Sequence, residues 1–159
     1  MNRNELLASL ESNRDRTARL FEIAQPSLDK SYAPGKWSVR QILTHLADVE
    51  VVLWWRFSRA AAEPGASVEL FDHDVWVDSL CVPGRSLDAS KAAFLGGRAL
   101  FIDMVRTLPE DVLQRTCLHP EHGPVAAHAW AAMTAKHCNH HADQVEAICE
   151  GRPWPSPKA

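Results

Sequence analysis

The run from Val39 to Ala62 contains neither proline nor glycine, and this constrains the fold more than any other feature of the chain. It follows Ser38-Val39-Arg40-Gln41, which has the form of a capping box. In such a box the serine oxygen accepts the N–H of the third helical residue, and the glutamine side chain reaches back to the serine N–H. Ile42, Leu46, Val49 and Leu53 then recur at steps of three or four, one face of a helix. Glu63-Pro64-Gly65 stops it near Ala62. A helix this long buries its apolar stripe only against other packed elements, so the rest of the chain must provide them.

Three further segments carry the same period. Asn2 with Glu5 suits a helix start, Leu6, Leu10, Thr17, Leu20 and Ala24 share a face interrupted by Asn13, and Pro26 is the expected terminator. A third helix is predicted over Leu87 to Leu108, with Phe94, Phe101, Val105 and Leu108 on one stripe, Leu95, Ala99 and Ile102 on another, and both faces buried. Gly96 and Gly97 inside it point to close approach of another backbone, a kink or room for a ligand. The last helix is expected from Pro124, in its first turn, to Glu150, with Gly151 as the stop. No strong strand pattern or internal repeat is present. The predicted fold class is all-α, an up-and-down type four-helix bundle, with one domain over 1–150 and a loose Pro-rich C-terminal tail over 151–159.

From Glu63 to Ser86 no helical period is sustained, and this segment, which includes Phe71, Asp72, His73, Asp74 and Trp76, is expected to be a functional loop covering part of a site. Composition narrows the function. A chain with 46% hydrophobic and 23% charged residues is that of a globular domain, and a net charge of −3 without clustered Lys or Arg argues against nucleic acid. No apolar run suits a membrane span or a signal peptide, and Cys81, Cys117, Cys138 and Cys149 have no disulfide or Cys-x-x-Cys spacing; a cytoplasmic protein with free thiols is expected.

In the last helix Trp130, Thr134, His137, His141, Val145 and Ile148 share one face. His137 and His141, four apart, stand on adjacent turns and can reach one metal ion. In the second helix His45 sits beside the apolar stripe and is the natural third ligand, since a metal satisfies imidazole nitrogens that burial alone would strand. Spacing leaves a solvated or separately hydrogen-bonded histidine pair open. His140 points about 100° away from His141 and belongs to the pocket edge or the ligands' support. His119-x-x-His122 has a ligand-like spacing but lies in a Pro/Gly-rich turn. Cys138 faces away from His137 and reads as a buried, inert thiol. Trp54, Trp55 and Trp76 read as core, with a pocket or a dimer interface as the alternative.

Two strings carry more than spacing: Gly35-Lys36-Trp37-Ser38-Val39-Arg40-Gln41-Ile42-Leu43-Thr44-His45-Leu46-Ala47-Asp48-Val49-Glu50 and His137-Cys138-Asn139-His140-His141-Ala142-Asp143-Gln144. They resemble the signature segments of the DinB/YfiT-like metal-binding family. That resemblance implies a four-helix bundle, commonly a homodimer, with zinc or nickel held by His45, His137 and His141, zinc being the expected ion. Three histidines leave a coordination position open, the arrangement of a catalytic site. The expected activity is a metal-dependent enzyme acting on a small molecule, first a thiol-dependent S-transferase using a low-molecular-weight thiol. The alternatives are a hydrolase using metal-bound hydroxide and a non-catalytic metal-binding stress-response protein. Asp48, one turn beyond His45, is expected to orient an imidazole or to serve as fourth ligand or base. Glu50 and Gln144 match family positions near the pocket, and Asp48 or Glu50 would carry protons in the hydrolase; a solvated helical face is the alternative for both carboxylates.

Overall fold

The computed structural model describes residues 1–154. Its elements are α1 (Arg3–Leu20), α2 (Val39–Ala62), α3 (His73–Leu80), α4 (Leu87–Thr107), α5 (Glu110–Leu113), β1 (Thr116–His119), β2 (Gly123–Ala126) and α6 (Ala127–Glu150). The long helices α1, α2, α4 and α6 form a four-helix bundle. Both capping boxes form: Asn2 Oδ1 accepts from the Glu5 N–H at 2.9 Å while Glu5 reaches back, and Ser38 and Gln41 do the same at the start of α2. Gly151 ends α6 at φ 68°, a left-handed conformation that costs glycine little.

Around the bundle the order is α1, α4, α2, α6 and back to α1: α2 packs against α4 and α6, and so does α1. Helices α1 and α2 therefore stand on one diagonal and α4 and α6 on the other, so the α1–α2 connection crosses one end of the bundle and the α4–α6 connection the opposite end. Two apolar clusters fill it. One, around Leu53, Phe57, Phe101 and Trp130, lies toward the hairpin end; the other, around Ile42, Leu43, Phe94, Ala142 and Val145, lies toward the start of α2. Between them a polar clamp is buried. Arg98 of α4, with no exposed surface, makes two hydrogen bonds to the Glu50 carboxylate of α2 at 2.7 and 2.8 Å. It also bonds Asn13 of α1 through the side-chain oxygen, and Asn13 Nδ2 donates to the Ala135 carbonyl of α6 at 3.1 Å. One guanidinium thus ties four helices, and Asn13, which interrupts the apolar face of α1, is buried for that reason.

Several expectations need correction. Helix α1 ends at Leu20, before Pro26, because the chain turns at Phe21 to tuck Leu28 into the core. The Glu63–Ser86 segment holds α3, capped by Asp72 Oδ1 accepting from the Val75 N–H at 3.0 Å; eight residues are too few to show a period. Helix α4 is buried on one face only: Ala99 and Leu100 are exposed and Leu95 is half-buried. A β-hairpin pairs Thr116 with Ala126 and His119 with Gly123, so Pro124 lies in β2 and α6 begins at Ala127. The hairpin has a third partner in residues 65–68, whose backbone bonds Thr116 and Leu118. In the tail, Trp154 packs its ring 5.3 Å from that of His140; the remainder of the segment expected to be loose, 155–159, lies outside the described residues. No helix among the described residues is long and apolar enough to cross a membrane.

Candidate metal centre

Because α2 and α6 are neighbours, His45 and the His137–His141 pair face each other. His45 is 2% exposed and His141 9%, and the three offer one nitrogen each within 4.8 Å of one another. His45 Nε2 lies 3.1 Å from His137 Nε2. Metal–nitrogen bonds of about 2.0–2.1 Å in a tetrahedral arrangement set neighbouring ligand atoms about 3.3 Å apart, so the pair already has the spacing of two ligands.

Charge leaves the same three rings available. Burial, reinforced by the charges of His137, His141 and His73, pushes the His45 imidazole down to about 2. Burial and the neighbouring His141 push His137 down to about 3. Burial lowers His141 to about 4 against the opposing effect of the hydrogen bond it donates to Gln144. All three are neutral near pH 7. His141 Nδ1 donates to Gln144 Oε1 at 2.8 Å, which fixes the tautomer and leaves Nε2 as a lone pair. Three neutral imidazoles aimed at one point cannot satisfy one another, since one donated proton pairs only two of them. A cation accepts all three lone pairs, so the residues fit a divalent transition metal.

The triad opens into a cavity of about 480 Å³, large enough for a small molecule. Trp37 forms one wall, with its ring 4.7 Å from His45 and stacked at 21° to His141, 6.2 Å away. Tyr32, Lys36, His73, His140 and Trp154 line the mouth. From the sequence, His73 lies in the segment expected to cover part of a site and Trp37 in the family-like string, but neither is given a role of its own. The signal for Trp37 was an aromatic residue just before a capping box, where a staple contact is common; for His73 it was the cap Asp72 one residue earlier.

The two carboxylates lie elsewhere, and neither lines the cavity. Asp48 is held by Arg85 in a two-pronged ion pair, one bond of which is 2.9 Å. Glu50 is five residues from His45, about 140° around the helix, and points at Arg98. Burial pushes its carboxyl up while Arg98 pulls it down, and it is not on a solvated face. Cys138 is buried, within 3.0 Å of Thr17 Oγ1, and burial raises its thiol. His119, Glu121 and His122 form a second cluster, but the two rings stack 4.5 Å apart at 17°. Metal ions bind in the plane of an imidazole, and nearly parallel stacked rings share no such point.

Comparison with known proteins places the chain in a family. The chain is 25% identical over 135 residues to a “Putative metal-dependent hydrolase” of Oceanobacillus iheyensis, covering 85% of this chain and 78% of that one. A Bacillus cereus protein of the same name is 24% identical over 140 residues, covering 87% and 79%. Among solved structures, YfiT from Bacillus subtilis, described as a probable metal-dependent hydrolase with an unusual four-helix bundle topology, superposes with a TM-score of 0.85 at 21% identity over 96% of this chain and 89% of that one. The four-helix bundle protein TT2238 matches with a TM-score of 0.65 at 22% identity, over 92% and 99%. The sequence model of the DinB superfamily matches residues 9–145, and the chain belongs to that superfamily.

Proposed function

We propose that this protein is a metal-dependent hydrolase of a small molecule, with His45, His137 and His141 as the ligands. The observation that carries the reading is the convergence of three neutral imidazoles, two buried and one half-buried, at the floor of a cavity, with no fourth protein ligand among the described residues. A divalent metal held there, zinc first and nickel second, supplies Lewis acidity at an open position and lowers the pKa of a nucleophile. The chain does the rest. Gln144 holds His141 in the ligating tautomer, Trp37 keeps bulk water off two ligand rings, and the mouth residues contact the substrate. The names given to the relatives agree with hydrolysis.

A second reading, a thiol-dependent S-transferase, is favoured by one observation. Asp48 and Glu50 are both engaged by arginines outside the cavity. A low-molecular-weight thiol, far more acidic than water, ionises with less help from a base. Zinc-loaded protein assayed with esters and amides, and separately with a thiol plus an electrophile, separates the two. Hydrolysis without thiol that is lost in His137→Ala and His141→Ala supports the first; turnover only with thiol supports the second. Equal turnover after complete metal removal refutes both. Exposed Val51, Trp55, Leu70 and Trp76 around a groove on α2 support a homodimer.

A further inference from the structure

With Asp48 and Glu50 turned away, the cavity needs another group to face whatever small molecule binds beside the three ligands. Helix α3 brings one. His73, its first residue, has its ring 6.1 Å from that of His45 at 64°, and 5.8 Å from Trp37. The segment packs on α2 with Val77 buried, and two side-chain contacts tie it there: Thr44 Oγ1 bonds Cys81 Sγ at 3.2 Å, and Arg85 grips Asp48. Asp48 thus contributes to the site from a distance, as an anchor for the segment that carries His73. The ring itself is free to act, being exposed at the mouth, with Nε2 3.8 Å from the Asp74 carboxylate.

His73 is near the triad without belonging to it. The ligand atoms of His45, His137 and His141 lie within 4.8 Å of one another, and His73 is outside that cluster. A ligand nitrogen sits about 2.1 Å from its metal, whereas a group that hydrogen-bonds a metal's small-molecule ligand stands one bond and about 2.8 Å further out. The ring of His73 stands further off, 6.1 Å from that of His45 against 4.5–5.1 Å between the rings of the triad, and it lines the same cavity. Its imidazole also presents a nitrogen as donor or acceptor, as contact with a small polar ligand requires.

We propose that His73 is a catalytic residue that hydrogen-bonds the substrate atom or small anion seated opposite the three ligand histidines, and that it is not itself a ligand. The proposal rests on the metal-enzyme reading. It is tested on cobalt(II)-loaded protein with azide as probe, following the visible spectrum of cobalt. Wild type, His73→Ala and His73→Gln should each take one cobalt per chain, with affinities within about threefold. Azide should bind His73→Ala about tenfold more weakly, the effect of losing one hydrogen bond to a charged group, while His73→Gln, which keeps an N–H donor, stays within about threefold of wild type. Unchanged azide affinity in His73→Ala, or no azide binding to wild type, overturns the proposal. So does a cobalt affinity more than about tenfold lower in His73→Ala, which would make His73 a ligand. If wild type takes no cobalt, or takes it equally well with His137 and His141 both replaced by alanine, the metal-centre reading itself has failed.

Discussion

Gln144 decides which nitrogen of His141 carries the proton. Its Oε1 accepts from Nδ1 at 2.8 Å, and a hydrophobic substitute would free the ring to take either tautomer and to rotate. Gln144→Leu is expected to weaken zinc binding about 10–100-fold, read by competition with a chelator, while Gln144→Glu retains or strengthens it. Unchanged affinity in the leucine variant would remove Gln144 from the site's support. The imidazoles also set the acid behaviour of the metal-free protein. Their ordinary value is 6.5, and burial lowers them to about 2, 3 and 4 in the folded state. Below pH 6.5 the unfolded chain takes up protons that the folded chain refuses, so stability falls as the pH drops toward 4; above 6.5 these groups contribute no pH dependence. Urea unfolding of metal-free protein at pH 8, 6 and 5 should show the loss, and His45→Phe should flatten it.

The polar clamp and the glycines of α4 belong to the scale of elements. Glu50→Ala leaves Arg98 charged and buried, which should cost about 3–5 kcal/mol in urea unfolding, while the double replacement Glu50→Leu, Arg98→Met should be much closer to wild type. The two glycines should respond in opposite directions. Alanine is favoured over glycine inside a helix by about 1 kcal/mol. At Gly96 a Cβ meets nothing within 4 Å, so Gly96→Ala should stabilise. At Gly97 the Cβ would stand 2.9 Å from Glu50 Cγ, which the two bonds from Arg98 prevent from moving, so Gly97→Ala should destabilise despite its better propensity. Matched thermal melts check both. The neighbour at Gly97 is the Glu50 side chain, where another backbone was expected, and Gly96 has no close neighbour.

For the whole molecule, a metal held by the three histidines would clasp α2 to α6, since His45 comes from the first and His137 and His141 from the second. Ligand binding to the folded state alone raises stability by RT ln(1 + [L]/Kd). Zinc should therefore raise Tm in a concentration-dependent way, chelation should reverse the rise, and the variant lacking all three histidines should show neither. The groove beside Trp55 makes a separate demand. If it joins two copies, Trp55→Glu should shift the sedimentation coefficient from dimer to monomer; a monomeric wild type at micromolar concentration would refute the homodimer.

Local signals in this chain read well. Both capping boxes, the ends of α2, the αL glycine after α6 and the shared face of His137 and His141 follow from rules acting over four or five residues, and such rules are written in the sequence itself. The family resemblance then pointed to the His45 partnership before any coordinates. Elements of eight residues or fewer left no period to find, so α3 and the hairpin, and the place of His73 beside His45, were legible only in three dimensions. The same holds for Asp48 and Glu50. Helical spacing places a carboxylate near a histidine, but its partner comes from a distant segment, Arg85 or Arg98, and a charge goes where its counter-charge is. The diagonal order of the helices is likewise a product of packing. By itself the sequence determined which residues form long helices and which faces they bury; the tertiary structure decided which helices touch, because burial rewards apolar area and counter-charges wherever along the chain they come from.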